Sequence, residues 1–323
     1  MSTDREAQFE AFLGQHDQHQ WTAALDQLSP SIHEVDRNAT RIWFAFHPLV
    51  LADAIRDAQD AGELERSLWL QGRYRLADQA DSSHWFLYGH RFWPETASAV
   101  IGAACEEPTS VELAGLIGHI ADRVATSVRT DRSLVVGITV VALMTLQQVG
   151  MRTFAAAAEA SARPARASRH TPDQIVRARA RDDSQGLLGF LKGERKSWTV
   201  TFDETDPAGR FSLIQSQELT TAAASDPRDH RARDPRCHEG AIPAQCRSAF
   251  CGTCWVGVLG GAEKLSPVAD LERRRIREFG YIDTDEPTPI IRLACQAQAF
   301  GAVSIVIPPW NGILGPVRLE VSI

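Results

Sequence analysis

Three cysteines within one short loop constrain this chain more than any other feature. They stand in Cys246-Arg247-Ser248-Ala249-Phe250-Cys251-Gly252-Thr253-Cys254, and a fourth, Cys295, stands alone further on. The spacing C-x4-C-x2-C with a distant fourth cysteine is one by which four thiolates hold a [2Fe–2S] cluster. Such a group needs two deprotonated thiolates per iron, and the negative charge of its sulfides is best met by backbone N–H groups. A loop that wraps it closely needs small residues, because larger side chains hold the backbone away. Ser248, Ala249, Gly252 and Thr253 meet that need, and Arg247 sets a positive charge beside the site that favours a more negative, reduced state.

At 323 residues the chain is long enough for two domains. Its apolar and charged fractions, 44% and 23%, are those of an ordinary soluble globular protein. The net charge of −7 argues against nucleic acid as a partner. Charge falls into three regimes: residues 1–160 carry 12 Lys/Arg against 21 Asp/Glu, residues 161–196 carry 9 against 4, and residues 197–323 carry 13 against 16. That pattern predicts two domains, 1–160 and 197–323, joined by a basic Ala/Arg/Ser/Gly linker over 161–196. Six cysteines are too few for a disulfide scaffold of this length, and four have metal-ligand spacing, which points to a reducing compartment. The polar start Met1-Ser2-Thr3-Asp4-Arg5-Glu6 shows no apolar signal region, so a cytoplasmic location is expected. Ser133 to Met151 carries no charge and could span a bilayer by length. Ser133, Thr139, Thr145, Gln147 and Gln148 interrupt it, and a helix apolar all round also suits the centre of a helical domain. A buried core helix is therefore expected, not membrane insertion.

Helical periodicity runs through the first 160 residues. Helices are expected over 5–28, from Ile32 to near His47, over 49–61 and 64–71, over 95–105, over 111–128 behind a Pro108-Thr109-Ser110 cap, and over 132–160. This part is expected to be all-α. An aromatic run from Ser83 to Pro94 contains His84 and His90, and His33, His47 and His119 lie elsewhere in the domain. No metal motif supports ligation by these histidines; packed core histidines or a partner-docking patch are the preferred readings. Cys105 is expected to be a small buried hydrophobe. In the linker, Thr171 followed by Pro172 can start a short helix, and 186–196, with three glycines, is expected to be irregular.

Beyond Ser197 the texture becomes that of strands. Trp198–Phe202 and Phe211–Gln215 read as a hairpin, 218–224 as a short helix, and 225–240 as a polar loop with Arg228, Arg231, Arg233 and Arg236. Strands are expected at 255–259, 290–296 and 303–307, with a helix from Ser266-Pro267 to Phe279. The result is a small α+β domain.

The flanks of the cysteines carry a resemblance. Ala241-Ile242-Pro243-Ala244-Gln245-Cys246-Arg247, Cys251-Gly252-Thr253-Cys254-Trp255-Val256-Gly257-Val258, Leu265-Ser266-Pro267 with Glu272-Arg273-Arg274, and Arg292-Leu293-Ala294-Cys295-Gln296 resemble the plant-type [2Fe–2S] ferredoxin family. The resemblance covers roughly 197–310 and leaves 1–196 outside it. It implies a β-grasp fold whose sheet packs on a helix, with the cysteine loop near the surface for one-electron transfer. It also implies that Cys246 and Cys251 bind one iron and Cys254 and Cys295 the other. Two departures stand out. The family usually has glycine where Ala249 stands, so one N–H···S approach should be crowded. The arginine-rich loop is longer than usual and holds Cys237-His238. These adjacent residues do not match the Cys-x-His pairs of a Rieske site, and Cys237 is expected to take no part. Zinc ribbons present two knuckles of paired cysteines, unlike a triple facing a lone Cys295.

No G-x-G-x-x-G behind a strand and no P-loop is present, so electrons are expected to come from and go to separate redox partners, such as a reductase or an oxidoreductase subunit. The expected function is one-electron transfer through a single cluster, with the helical domain docking the partners and no catalytic residues. Two alternatives stay open: a redox enzyme component whose helical domain holds its own substrate or metal site, and a cluster-dependent regulatory or assembly protein. Arg247 and the arginines of the preceding loop are expected to raise the potential above the plant-type value of about −400 mV.

Overall fold

Amphipathic and apolar helical patterns give way near residue 197 to alternation, and the computed structural model follows that change. It describes residues 2–49, 52–53, 57, 59–60, 76–106, 112–160, 170–181, 196–278 and 288–308. The expected helices over 49–61 and 64–71, the 108–110 cap and the glycine-rich 186–196 stretch lie wholly or mostly outside the described residues. Two units divide the chain: Met1–Asp57 with Arg75–Ala167, and Ala58–Tyr74 with Ser168–Ile323.

The described part of the first unit is helical, with α1 (Ser2–Gly14), α2 (Gln18–Leu28), α3 (Glu34–Phe46), α4 (Trp93–Ala104), α5 (Leu113–Val128), α6 (Ser133–Val149) and α7 (Met151–Ala160). The single helix expected over 5–28 is two. Asp17 caps the second: its carboxylate accepts from Gln20 N–H at 2.8 Å, and Gln20 Oε1 accepts from Asp17 N–H at 2.9 Å, a reciprocal box that starts a new helix. The helix expected over 132–160 also breaks, at Gly150, whose φ of 80° and ψ of 157° are essentially restricted to glycine. Every residue of α6 from Leu134 to Leu146 is buried, and α3, α4, α5 and α7 pack around it. The uncharged 133–151 segment thus supplies a core helix; among the described residues no helix is long and apolar enough to cross a membrane. Its two glutamines are used inside the unit: Gln147 accepts from Trp21 Nε1 at 2.6 Å and donates to His16 O at 2.9 Å, and Gln148 donates to His47 O at 2.8 Å.

The aromatic run is not an exposed patch. Ser83, His84, Leu87, Gly89 and Trp93 are buried, and of the run only Pro94 is exposed. His84 Nε2 lies 3.2 Å from Ala80 O, its Nδ1 lies 2.9 Å from His90 Nδ1, and the Trp93 ring sits 3.9 Å from it. Burial pushes the His84 pKa well down and takes that of His47 to about 3, so both are neutral core residues. His33 caps α3, accepting from Val35 N–H at 3.2 Å, and His119 is exposed. Cys105 is exposed, not buried, because it falls at the C-cap of α4.

The second unit contains α8 (Pro172–Ala180), β1 (Ser197–Thr201), β2 (Arg210–Ile214), β3 (Gln217–Glu218), α9 (Leu219–Ala224), β4 (Trp255–Gly260), α10 (Asp270–Glu278), β5 (Ile291–Leu293), β6 (Gln298–Ala299) and β7 (Val303–Val306). Five strands form a mixed sheet in the order β2-β1-β7-β4-β5, with β1 parallel to β7 and the other pairs antiparallel; β3 and β6 form a separate ribbon. The helix expected within the linker forms, and it belongs to this unit. Thr171 and Gln174 make a capping box, Ile175 is buried, and Arg179 donates to both oxygens of Glu204 at 2.7 and 2.8 Å. Glu204 in turn accepts from Ser304 Oγ at 2.6 Å. The unit therefore begins near residue 168, not at 197, and 161–196 is not wholly a solvated connector. α10 starts four residues later than Ser266 suggests, because Ser266 is held by β6: its N–H donates to Gln298 O at 2.8 Å and its Oγ accepts from Gln298 N–H at 3.2 Å.

Candidate metal centre

The strand register explains how the distant cysteine meets the loop. Trp255 pairs with Leu293 across β4 and β5, so the next residues outward, Cys254 and Ala294, fall opposite each other, and Ala294 N–H donates to Cys254 O at 2.9 Å. Cys295 follows at once, where the chain turns by Gln296 N–H donating to Leu293 O at 2.8 Å. At the other end, Cys251 N–H donates to Cys246 Sγ at 3.3 Å. Thr253 ties the loop together: its Oγ1 accepts from Gln245 N–H at 2.9 Å and lies 3.0 Å from Cys251 Sγ. Two left-handed residues, Ala249 (φ 58°) and Gly252 (φ 65°), curl the backbone between them.

The four thiols lie in two neighbouring pairs, Cys246 with Cys251 and Cys254 with Cys295. Within Cys246 and Cys251, burial opposes ionisation of Cys246, but N–H groups of Ser248, Cys251 and Phe250 and the Cys251 thiol outweigh it and bring its pKa down. Burial, together with the neighbouring Cys246, pushes Cys251 up. Within Cys254 and Cys295, the Cys254 thiol donates to Cys295; that bond, helped by the Gln296 amide and the Ala249 N–H, lowers the Cys295 pKa and raises that of Cys254. Backbone N–H groups thus face sulfur at several points of the loop, as sulfur bearing negative charge requires. Ala249 does not crowd this arrangement out. It is buried and its N–H reaches Cys295.

The structure sets Cys246 beside Cys251 and Cys254 beside Cys295, and the flanking residues separate by role. Ser248 is exposed and contributes its N–H; Gly252 supplies a turn; Thr253 is the buried brace. Arg247 points outward, half-exposed, and pairs with Glu239 at 3.1 Å. Gln296 was not singled out from the sequence, although it adjoins Cys295: its Nε2 lies 3.5 Å from Cys295 Sγ. Cys237 is buried apart from the pairs, its Sγ 3.4 Å from Ala241 O, with its pKa pushed by burial to about 12. It stays a thiol. The arginine-rich loop is internally neutralised. Arg228 pairs with Asp226, Arg233 with Asp203 and Asp206, and Arg236 with Asp234, while Arg231 lies 2.9 Å from His238 Nδ1. The number of arginines thus overstates the positive field at the cysteines.

Among the described residues no three His, Cys, Asp or Glu side chains converge on one point as a single ion would need. Comparison with protein-family models, curated proteins and solved structures finds no match for this chain.

Proposed function

We propose that the second unit is a ferredoxin-like β-grasp domain that carries one [2Fe–2S] cluster and passes single electrons between separate redox partners. The observation that carries this reading is that the β4–β5 register sets Cys295 beside Cys254, next to a loop of small residues in which Cys251 N–H donates to Cys246 Sγ. These four cysteines would hold the two irons, one pair each. When bound, the cluster supplies one reversible electron without a proton. Thr253 keeps the loop closed, Gln296 and the N–H groups of Ser248, Ala249 and Phe250 stabilise negative charge on sulfur, and Cys237 remains a spectator. The mixed sheet, with α10 packed beside β5, supports the β-grasp assignment. The helical first unit would serve partner docking.

Iron and sulfide analysis with electron paramagnetic resonance of the reduced protein tests this. Two irons per chain and a spin-½ signal are expected. Cys251→Ser should disturb or abolish the signal, and Cys237→Ser should leave it intact. A protein that takes up zinc but no iron on reconstitution would sink the reading.

A further inference from the structure

Phe250 is the single aromatic residue in a loop otherwise made of small residues, cysteine and Arg247, and 61% of it is exposed. Leaving a phenylalanine in water forgoes the gain of burying it, so its position needs a reason. Its surroundings supply one. The Arg275 guanidinium lies over its ring, 5.6 Å from the centroid. Arg275 belongs to α10, where Glu272 and Ile276 face inward and are fully buried. The outward face therefore presents Leu271 (44% exposed) and Arg274, with the partly buried Arg275 beside them one turn on from Leu271. Arg247 stands in the same loop as Phe250. Against these cations the face sets Glu239, already paired with Arg247, Asp270 at the start of the helix and Glu278 one turn beyond Arg274; Glu272 is neutralised internally by Arg292. An apolar centre with a cationic rim thus stands on a chain of net charge −7, immediately beside the thiol pairs, since Phe250 N–H itself faces Cys246.

We propose that this face, Phe250 and Leu271 ringed by Arg247, Arg274 and Arg275, docks the electron-exchange partner, and that the partner's contact surface is acidic around an apolar recess. The proposal rests on the electron-transfer reading above and adds the sign of charge and the anchor by which the partner is recognised. Charge complementarity raises the association rate and makes it salt-sensitive, while an exposed aromatic beside arginine is the composition of an interface hot spot.

The test follows oxidation of the reduced full-length protein in stopped flow, with ferric cytochrome b5 as an acidic acceptor and ferric cytochrome c as a basic one. In each reaction one electron leaves the reduced protein and one ferric haem becomes ferrous. Iron content and visible spectrum are recorded first for every variant. With cytochrome b5, the second-order rate constant should fall about tenfold or more as salt rises from roughly 20 to roughly 500 mM. The double variant Arg274→Glu/Arg275→Glu should lower the low-salt rate by about tenfold or more and speed the reaction with cytochrome c. Phe250→Ala should slow the cytochrome b5 reaction several-fold without changing its salt dependence. If the double variant loses iron, Arg274→Glu alone, at an exposed site, carries the same comparison. Wild-type protein without a cluster overturns the electron-transfer reading and this proposal together. An intact cluster whose oxidation ignores salt and charge reversal overturns the docking face alone. So does sedimentation showing a dimer that Phe250→Ala dissociates, because the face is then covered by a second copy.

Discussion

Ala249 holds a φ of 58° in a buried position where the loop must turn towards Cys295. A left-handed alanine costs about 1–2 kcal/mol. Its buried methyl returns roughly 0.8 kcal/mol, and its stiffer unfolded chain a further 0.4–1 kcal/mol relative to glycine. The terms nearly cancel, which is why alanine can stand at this left-handed position. Ala249→Gly should therefore shift stability by less than about 0.5 kcal/mol, whereas Ala249→Val, adding a β-branch at positive φ, should cost about 2 kcal/mol or more. Urea midpoints at constant slope would check both, and a large gain for the glycine variant would show the backbone strain to dominate. At this scale the neighbouring Cys246 and Cys251 were legible because they stand five residues apart in one short loop. The Thr253 brace and the carboxylate partners of the arginines were not, because each joins residues that only the folded loop brings together.

Glu272 and Arg292 join α10 to β5, the strand that delivers Cys295. Both are buried, with side chains 0% and 3% exposed, and they meet at 2.8 and 2.9 Å. Glu272 also accepts from Leu293 N–H at 2.9 Å, and Arg292 donates to Ser266 O at 2.8 Å. Removing one partner of such a pair strands the other charge in a dry site, at about 3–5 kcal/mol. Glu272→Ala should cost that much and weaken iron retention, because Leu293 to Cys295 loses its anchor. Glu272→Gln, which keeps an acceptor oxygen, should cost less. Thermal melts with iron content after gel filtration would decide; an alanine variant as stable as the parent would mean that the pair only orients the helix. Helices with a clear apolar period were visible in the sequence, and so was α8 from its Thr171-Pro172 start. The break at Gly14 to Asp17 and the late start of α10 were hidden, since a capping box or a strand claimed residues that local pattern assigned to a helix.

On the scale of the whole molecule, charge regimes pointed to two bodies but put the boundary at the end of the basic stretch. In the structure part of the basic stretch belongs to the second unit, which takes Ala58–Tyr74 and Ser168–Ile323: the Arg179–Glu204 pair ties α8 to it, a contact invisible to a charge count. The two units also differ in how they should meet acid. The first buries His47, with a pKa near 3, and His84, held well below its ordinary 6.5; burial and the neighbouring His90, itself lowered, account for the latter. A group whose folded pKa is depressed gives stability that is fully present above the unfolded value and is lost as pH falls towards the folded one. The unfolded chain takes up these protons below pH 6.5 while the folded unit refuses them, so the stability of the first unit falls as pH drops through that range. The second unit holds a smaller contribution at Asp226, whose pKa the Arg228 hydrogen bond lowers from 3.8 to about 2; that stability persists until pH falls below 3.8 and disappears through 2. Acid titration of the full chain should therefore proceed in two stages. Loss of the near-ultraviolet signal of Trp21, Trp43, Trp85 and Trp93 should come first, between pH 6.5 and 4, ahead of the fluorescence change at Trp198 and Trp255. Replacing His84 by glutamine should move the first stage to lower pH and leave the second in place, and a single transition unaffected by that substitution would show that the buried histidines do not govern the acid limit.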